Sequence, residues 1–554
     1  VDEFTLMDAL PRLFPELEEA WIAVINIDIS GTTSKTYTRT SGPCAQSKEY
    51  CLGADGENVT VPSHNDNYGN SSGTSFAAPQ VSGAIAILAQ HFPNHSPEKL
   101  VDRLLATADN SFSEFVASGY VEFGNGVKHS YSDEFGHGVM DIYQALQPVV
   151  TDMLRVAAGS NLDAENESYS LEDSFVRSSA ALGDSLFVAL EPEVGFVYDA
   201  LDGGFEYPLT QHVALRPVAQ ISMDLSDSLA FLKSSKHQVE TDIDAPISGF
   251  VTGVDTEQRD VGVTVGSQAL PVQRLFDGVS MSAGDLDVSY LEESAGMGVA
   301  SSMQLGANSR LSIGATNPMD KNDEEAMGDR RTIAAAFETA TQSTASAFMV
   351  GVTQEHDNLL GSEGSGAFSL EGTDAETLFV GARNNWKFDD SFYLEALATV
   401  GNTSLTKPKQ GLVEGADSVK SLSWNLGLTT TDVFGDDLFN VSVSQPNRVF
   451  DGTMSVRLPN LADSDGNITY RNKTIDLAPS GRQMDFTIGY RRRIGEDSSV
   501  AVRHMVSSEP NHDADAKDMK SSFIGFATGG FEMGIVTRHG YDENEAQLKY
   551  SVNF

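Results

Sequence analysis

The stretch Ser72–Leu88, which reads SGTSFAAPQVSGAIAIL, decides the fold of the first part of this chain. A flexible glycine and hydroxyl residues stand directly before a run whose apolar residues recur at helical spacing. This pattern predicts a helix over residues 75–92, with Pro79 in its first turn, where a missing N–H costs little. Ser75 would then lie at the helix N-terminus, where backbone N–H groups are free and the helix dipole is positive.

A serine in that position can serve two different purposes. A negative charge that develops beside Ser75 would be stabilised there, and the backbone N–H of Ser75 can itself donate to an oxyanion. A serine that only begins a helix satisfies the same local pattern. The physics of this stretch alone leaves the structural and the catalytic role open.

The segment Gly73–Pro79 resembles the nucleophile signature G-T-S-x-A-x-P of the subtilisin-like (S8) serine peptidases. Downstream, Phe135–Asp141 (FGHGVMD) resembles the segment that closes the catalytic domain of that family. Upstream, Cys51–Gly56 (CLGADG) resembles its A-P-G segment, with Asp55 where the family usually has proline. The resemblance implies an α/β subtilisin-like domain over residues 1–150, in which Ser75 is the nucleophile and its N–H an oxyanion donor.

The resemblance covers only the last part of the catalytic domain. The family orders its triad as Asp, His and then Ser along the chain. His64, in the sequence PSHN, is the one histidine before Ser75 and lacks the family's histidine context, so we expect a polar loop residue there. The triad Asp and His and the oxyanion Asn are therefore expected upstream of Val1, and the chain as given is expected to be inactive alone. Four further histidines lie downstream of the serine, in the wrong order: His91, His95, His129 and His137.

The two cysteines of the chain, Cys44 and Cys51, bracket the polar loop AQSKEY. They are either two unrelated thiols or a short disulfide loop, which would indicate an oxidising compartment. Because the pair is isolated and close in sequence, we predict the disulfide.

Charge limits the classes of partner. The chain has 36 Lys and Arg against 79 Asp and Glu, a formal net charge of -43. Such a surface repels phosphate backbones, which argues against nucleic-acid binding, and it suits an extracellular or salt-adapted protein.

No cofactor is predicted, since the chain has no HExxH, CxxC or Gly-rich phosphate loop. We find no metal-ligand spacing either, although the family resemblance leaves calcium open. The sequence does not specify an oligomeric state.

Residues 301–554 alternate with period two between turns rich in Gly, Asp, Asn and Ser, which predicts a mostly antiparallel β domain. In Met484–Tyr490, the residues at 484, 486, 488 and 490 are apolar, and those between them are polar or small. The same alternation is found in Leu422–Leu428 and in Leu548–Phe554, whose last residue resembles the terminal signal of bacterial barrel proteins. We predict an outer-membrane barrel of about 12 strands, since a strand plus its turn takes roughly 20 residues. A soluble β-sandwich alternates in the same way.

Residues 151–300 read as a linker or passenger region of unclear fold, with strand-like pieces such as Phe187–Leu190. The order of the three parts resembles bacterial autotransporter peptidases, in which an exported enzyme precedes an outer-membrane barrel. The first interpretation is thus a serine endopeptidase acting on polypeptide substrates through an acyl-enzyme, at the cell surface or outer membrane of a Gram-negative bacterium. The second is a non-catalytic surface protein, with a degenerate peptidase part and a β domain that binds or anchors.

Overall fold

The protein is described by a computed structural model. The structure describes most of the chain, in these ranges: 10–31, 35–151, 154–159, 168–214, 223, 228–229, 231–232, 259–266, 296–306, 308–318, 330–409, 411–463, 465–495, 497–529, 531–539 and 544–550. The chain divides into two compact units. The first unit comprises Val1–Ser174, Val194–Tyr207 and Leu458–Arg471, and the second comprises Phe175–Glu193, Pro208–Arg457 and Asn472–Phe554. The sequence-based division at 150 and 300 stays a prediction.

Helices are concentrated in the first third of the chain. The α-helices are α1 (Leu10–Leu13), α2 (Thr74–His91), α3 (Pro97–Ala106), α4 (Ile142–Ala145) and α5 (Ser185–Leu190). Short 3-10 helices span Pro15–Ala20, Ala45–Tyr50, Leu209–His212, Gly366–Phe368 and Pro510–His512. The strands before residue 215 are β1 (Ala23–Ser30), β2 (Thr36–Arg39), β3 (Cys51–Ala54), β4 (Val59–Pro62), β5 (Tyr68–Ser71), β6 (Gly119–Glu122), β7 (Lys128–Tyr131), β8 (Arg155–Ala157), β9 (Ser168–Ser170), β10 (Val176–Arg177), β11 (Val194–Tyr198), β12 (Gly204–Pro208) and β13 (Val213–Ala214).

The first unit is a mixed α/β structure, as the sequence predicted. Its central sheet has the order β2-β1-β3, with β1 parallel to β3 and antiparallel to β2. The apolar side chains of α2 and α3 pack with those of β3 in one buried cluster. The helix α3 has a capped N-terminus, because Ser96 accepts a hydrogen bond from the N–H of Lys99 and Pro97 stands at the first position.

Two local predictions were wrong. Pro79 is the sixth residue of α2 and not part of its first turn. Since proline has no N–H, it leaves the carbonyl of Ser75 without the partner four residues ahead that a helix normally supplies. The strand-like run Phe187–Leu190 lies in the helix α5, in which Leu186 and Leu190 are buried at a spacing of four residues.

The second unit is dominated by one large antiparallel sheet of 15 strands, which confirms the antiparallel β domain and exceeds the expected 12. Its path runs through β14 to β18, β21 to β24 and β26 to β30, while β25 pairs with β24. Within the described ranges no pairing joins the first and last strands of this path, so the sheet is not closed there. The strands after residue 250 are β14 (Arg259–Gly266), β15 (Gly296–Gly306), β16 (Ser309–Pro318), β17 (Arg330–Ala340), β18 (Thr344–His356), β19 (Asn358–Leu359), β20 (Ser362–Gly364), β21 (Asp374–Lys387), β22 (Phe392–Leu405), β23 (Val413–Thr431), β24 (Asp437–Pro459), β25 (Tyr470–Asp476), β26 (Met484–Arg493), β27 (Ser498–Ser508), β28 (Met519–Thr528), β29 (Phe531–His539) and β30 (Asn544–Tyr550).

The faces of this sheet are inverted relative to a water-soluble protein. In β26, Phe486 and Ile488 are 52% and 50% exposed, whereas Asp485 and Thr487 are buried. In β23, Leu422 and Trp424 are half-buried and the polar side chains between and after them are buried. The C-terminal part of the predicted apolar face, Val552 and Phe554, lies outside the described residues. Further exposed apolar side chains on other strands are Ile333, Phe348, Leu378, Val380, Val400, Val502, Ile524 and Ile535.

The two ends of the sheet differ in the length of their connections. At one end the hairpins turn within five residues or fewer, at 341–343, 388–391, 432–436, 494–497 and 529–530. At the other end most connections are longer, at 357–373, 406–412, 460–483 and 509–518, whereas the connection between β29 and β30 has four residues.

The buried face of the sheet packs against a separate chain segment. Met223, Leu229, Phe231 and Leu232 form one apolar cluster with residues from β22 to β29. The carbonyl of Leu232 accepts hydrogen bonds from Arg491 and Ser499. Through these two bonds the segment is joined to β26 and β27.

No helix among the described residues is long and apolar enough to cross a membrane.

Candidate active site

Ser75 occupies the second position of α2, and its side chain is exposed. Gly73, the residue before the helix, has a φ of 141°. This conformation is strained for any residue with a Cβ atom, so glycine is needed where the chain turns from β5 into α2. The turn presents the Ser75 hydroxyl at the start of a helix.

The N-terminus of α2 is open to an anion. No side chain caps it, and the first turn contains no acidic residue. The N–H of Phe76 donates to the carbonyl of Gly73 at 2.9 Å. The N–H groups of Thr74 and Ser75 lie in the first turn, where a helix supplies no carbonyl partner for them. An oxyanion beside Ser75 would meet these donors together with the positive end of the helix dipole.

A tight turn of residues 55–57 supports the loop that carries Ser75. The carbonyl of Gly56 accepts a hydrogen bond from the N–H of Gly73 at 3.0 Å. A Cβ atom on Gly56 would lie 2.6 Å from the carbonyl oxygen of Gly73 and 2.9 Å from the nitrogen of Ala77. Only glycine therefore allows this close approach of the two loops.

The structure does not bring the predicted loop histidine to the serine. His64 is exposed at the tip of the hairpin formed by β4 and β5, whose open end leads into Ser72. Four residue pairs separate the tip from that end, which is about 13 Å at the usual rise per residue. In the described part of the chain, no residue forms a hydrogen bond with the Ser75 hydroxyl.

Two of the downstream histidines form a buried pair. Nδ1 of His129 lies 3.0 Å from Nδ1 of His137, and Nε2 of His137 lies 2.9 Å from the carbonyl oxygen of Glu49. Nε2 of His129 lies 3.1 Å from the carbonyl oxygen of Ala108. Burial lowers the pKa of His137 to about 4, and burial likewise lowers the pKa of His129. These rings are neutral at pH 7 and engaged within the fold.

The structure joins Cys44 and Cys51 by a disulfide, with their Cα atoms 6.0 Å apart. Both residues are buried beside Phe135 and Val139 in the second apolar cluster of the first unit. The bridge closes the 3-10 helix Ala45–Tyr50 against the start of β3.

Metal binding has no support in the geometry. Across the described ranges, no group of three or more His, Cys, Asp and Glu side chains could hold a metal ion. Calcium, which also binds through backbone carbonyl and Asn or Gln oxygens, stays an expectation of the family resemblance.

Sequence reasoning missed one residue near the site. Asn26 lies in β1 and is only 1% exposed, although its neighbours Ile25 and Ile27 are apolar. A polar residue inside an apolar strand run is the signal that could have identified it, because such a group is costly to bury without partners.

The family model named Subtilase family matches residues 3–138. Two curated relatives match part of this chain. The Serotype-specific antigen 1 of Mannheimia haemolytica is 32% identical over 110 residues, which cover 19% of this chain and 11% of that protein. The Extracellular serine protease of Serratia marcescens is 31% identical over 122 residues, 18% of this chain and 11% of that protein. The chain thus spans about a tenth of the length of the curated relatives it matches.

One similar solved structure is fervidolysin from Fervidobacterium pennivorans, which is described as a keratinolytic enzyme related to subtilisin. The match covers 82% of this chain and 53% of the fervidolysin chain, at 15% identity and a TM-score of 0.18. Pseudomonas putida OprB covers 50% of this chain and 69% of its own, at 11% identity and a TM-score of 0.27. The residues that the family model matches include Ser75. Residues 3–138 therefore form a subtilisin-like, serine peptidase-like domain of the subtilase family.

Proposed function

We propose that this chain carries the nucleophile of a serine endopeptidase. The hydroxyl of Ser75 attacks the carbonyl of a polypeptide substrate, and the resulting acyl-enzyme is hydrolysed by water. The observation that carries the proposal is the exposed position of Ser75 at the uncapped N-terminus of α2, inside the segment that matches the family. The N–H of Ser75 donates to the oxyanion as the tetrahedral intermediate forms.

The attack needs a base that accepts the proton of Ser75. Because His64 is remote from Ser75, and His129 and His137 hydrogen-bond to each other, we assign the base to none of these three histidines. A serine without its base is a weak nucleophile.

The test is a comparison of two serine variants of the full-length protein. Ser75→Ala should abolish hydrolysis of a peptide substrate and labelling by a fluorophosphonate, while the fold is retained. Ser82→Ala is the matched control, since Ser82 is an exposed serine on the same helix. A full-length protein that is neither labelled nor active would overturn the peptidase proposal and favour a degenerate surface protein.

We further propose that the second unit anchors the protein in an outer membrane as a β-barrel. The inverted faces carry this proposal, because a membrane barrel presents an apolar face to lipid and a polar face to its interior. A soluble β-sandwich would bury Phe486 and Ile488 between two sheets. In the second unit these side chains are exposed and the polar face is buried instead.

Two further features agree with a membrane barrel. Outer-membrane barrels have short turns at the periplasmic end and longer loops at the extracellular end, and the two ends of this sheet differ in the same sense. Leu229, Phe231 and Leu232 pack with side chains of the sheet, and the carbonyl of Leu232 accepts hydrogen bonds from Arg491 and Ser499 on its polar face, as a segment inside a barrel would. The peptidase part would then act on polypeptides at the cell surface.

Membrane anchoring is tested by fractionation of cells that express the full-length protein. An outer-membrane barrel is recovered with outer-membrane vesicles, and in detergent it migrates differently on an SDS gel before and after boiling. Recovery in the soluble fraction, with no change on boiling, would contradict the proposal and leave the second unit as a soluble appendage.

A further inference from the structure

Asn26 directs its whole side chain at the turn of residues 55–57. Its Oδ1 accepts a hydrogen bond from the N–H of Gly56 at 2.9 Å, and its Nδ2 donates to Oγ1 of Thr40 at 2.7 Å. The same Nδ2 donates to Oε1 of Glu57. These bonds use the acceptor and both donor hydrogens of the amide, which explains how an asparagine is tolerated inside the apolar strand β1.

The turn that Asn26 holds contacts the chain on both sides of Ser75. On one side, the carbonyl of Gly56 accepts a hydrogen bond from the N–H of Gly73, and the hydroxyl of Ser72 accepts one from the N–H of Asn58. The Glu57 carboxylate accepts a hydrogen bond from the hydroxyl of Thr40. On the other side, the Gln80 amide donates to the carbonyl of Asp55. The position of the turn thus sets the position of both the start of α2 and the loop before it.

We infer that Asn26 is a positioning residue for Ser75, acting through Gly56 and Glu57. This inference rests on the proposed peptidase function. The segment resembles one in which the family has proline where this chain has Asp55. Proline would fix the φ angle of the turn, whereas aspartate does not. The hydrogen bonds of Asn26 supply that restraint here and hold the Ser75 hydroxyl and N–H in their reactive position.

The first test is Asn26→Ala in the full-length protein. A positioning residue changes the rate of the chemical step and leaves substrate binding intact, so kcat should fall about 10- to 100-fold while KM changes less than about twofold. The rate of fluorophosphonate labelling at Ser75 should fall in parallel. Ser30→Ala is the matched control, because Ser30 is an exposed residue of the same strand whose hydroxyl pairs only with Thr36.

A second set of variants separates positioning from folding. Asn26→Asp keeps the acceptor for Gly56 but places a carboxylate against that of Glu57, so kcat should fall. The double variant N26D/E57Q restores a donor and acceptor pair between the two side chains, and kcat should recover at least tenfold relative to N26D. This recovery is the decisive result if Asn26→Ala fails to fold.

The possible results distinguish this inference from the function on which it rests. An active wild type that loses activity in Ser75→Ala, but keeps its kcat in folded Asn26→Ala, overturns the role of Asn26 alone. A double variant no more active than N26D overturns it as well. An inactive, unlabelled wild type overturns the peptidase function and the inference together.

Discussion

The strands β1 and β26 look alike in sequence but bury opposite residues. In β1, the apolar Ile25 and Ile27 are 5% and 0% exposed. In β26, the apolar Phe486 and Ile488 are about half exposed, and the polar Asp485 and Thr487 are buried. In β1 of the first unit these apolar side chains are buried, whereas in β26 of the second unit they lie on the exposed face of the sheet. The difference is the one expected if the two units face different solvents, water and lipid.

The largest expected effect concerns the way the first unit buries charge. Arg103 and Asp199 are both fully buried, and Nη2 of Arg103 lies 2.7 Å from each carboxylate oxygen. Arg103→Met leaves the Asp199 charge buried without its partner, so the unfolding free energy should fall by about 3–5 kcal/mol. Chemical denaturation of the first unit measures the loss.

The control for this change is an exposed ion pair in the same unit. Lys128 and Glu122 lie 3.4 Å apart with side chains that are 52% and 53% exposed. Lys128→Met should change stability by about 0–1 kcal/mol, because water already solvates both charges. If the two variants lost the same amount of unfolding free energy, burial would not explain the contribution of the Arg103–Asp199 pair to stability.

The next effect tests the outer face of the second unit directly. Ile488→Arg places a charge on the face assigned to lipid and should destabilise the folded protein in a bilayer by about 2–4 kcal/mol. Tyr68→Arg, at an exposed position of the first unit, should change stability by less than about 0.5 kcal/mol. Unfolding in lipid vesicles measures both. If both variants changed stability by a similarly small amount, the proposed difference between a lipid-facing and a water-facing surface would be wrong.

How far the sequence predicted this contrast depends on the kind of pattern. The Gly73–Pro79 segment predicted the helix α2 and the position of Ser75, because a glycine before an apolar run specifies a helix start. The alternation in Met484–Tyr490 predicted which residues share a face. It could not predict which face meets solvent, since a period of two is the same for a lipid-facing and a water-facing strand.

Other features were beyond local patterns. The apolar run Phe187–Leu190 is too short to distinguish a strand from a helix by periodicity, and tertiary packing of Leu186 and Leu190 decides for the helix. The hydrogen bonds around Asn26 connect residues that range from position 26 to position 80, so no short stretch of sequence contains all of them. The expected strand count was too low partly because the sheet also takes in β14, which begins before residue 301.

A pH titration gives a comparable effect in the first unit. His137 is fully buried, and its pKa is lowered from 6.5 to about 4 by burial, so the folded state binds fewer protons than the unfolded state between these values. The contribution of His137 to stability is therefore fully present above about pH 6.5 and falls with acidification, by about 3 kcal/mol at pH 4. Asp102 contributes in the opposite sense over the same range, because burial raises its pKa to about 6.

The histidine effect is isolated by comparing slopes. His137→Gln should flatten the dependence of the unfolding free energy on pH between 6.5 and 4. His64→Gln, at the exposed hairpin tip, should leave the slope as it is in the wild type. If both variants keep the wild-type slope, the buried pair of His129 and His137 does not control the acid sensitivity of the first unit.

The smallest expected effect uses the fact that both cysteines of the chain lie in the first unit. Thiol titration of the unfolded, unreduced protein should find no free thiol, because Cys44 and Cys51 are bonded in the structure. The bridge closes a loop of about eight residues, for which chain entropy gives a stabilisation of about 2.5 kcal/mol. The double variant C44S/C51S should lower the stability of the first unit by that amount and leave the second unit unchanged. Two free thiols in the titration would contradict the bond, and an equal loss of stability in both units would show that they do not unfold independently.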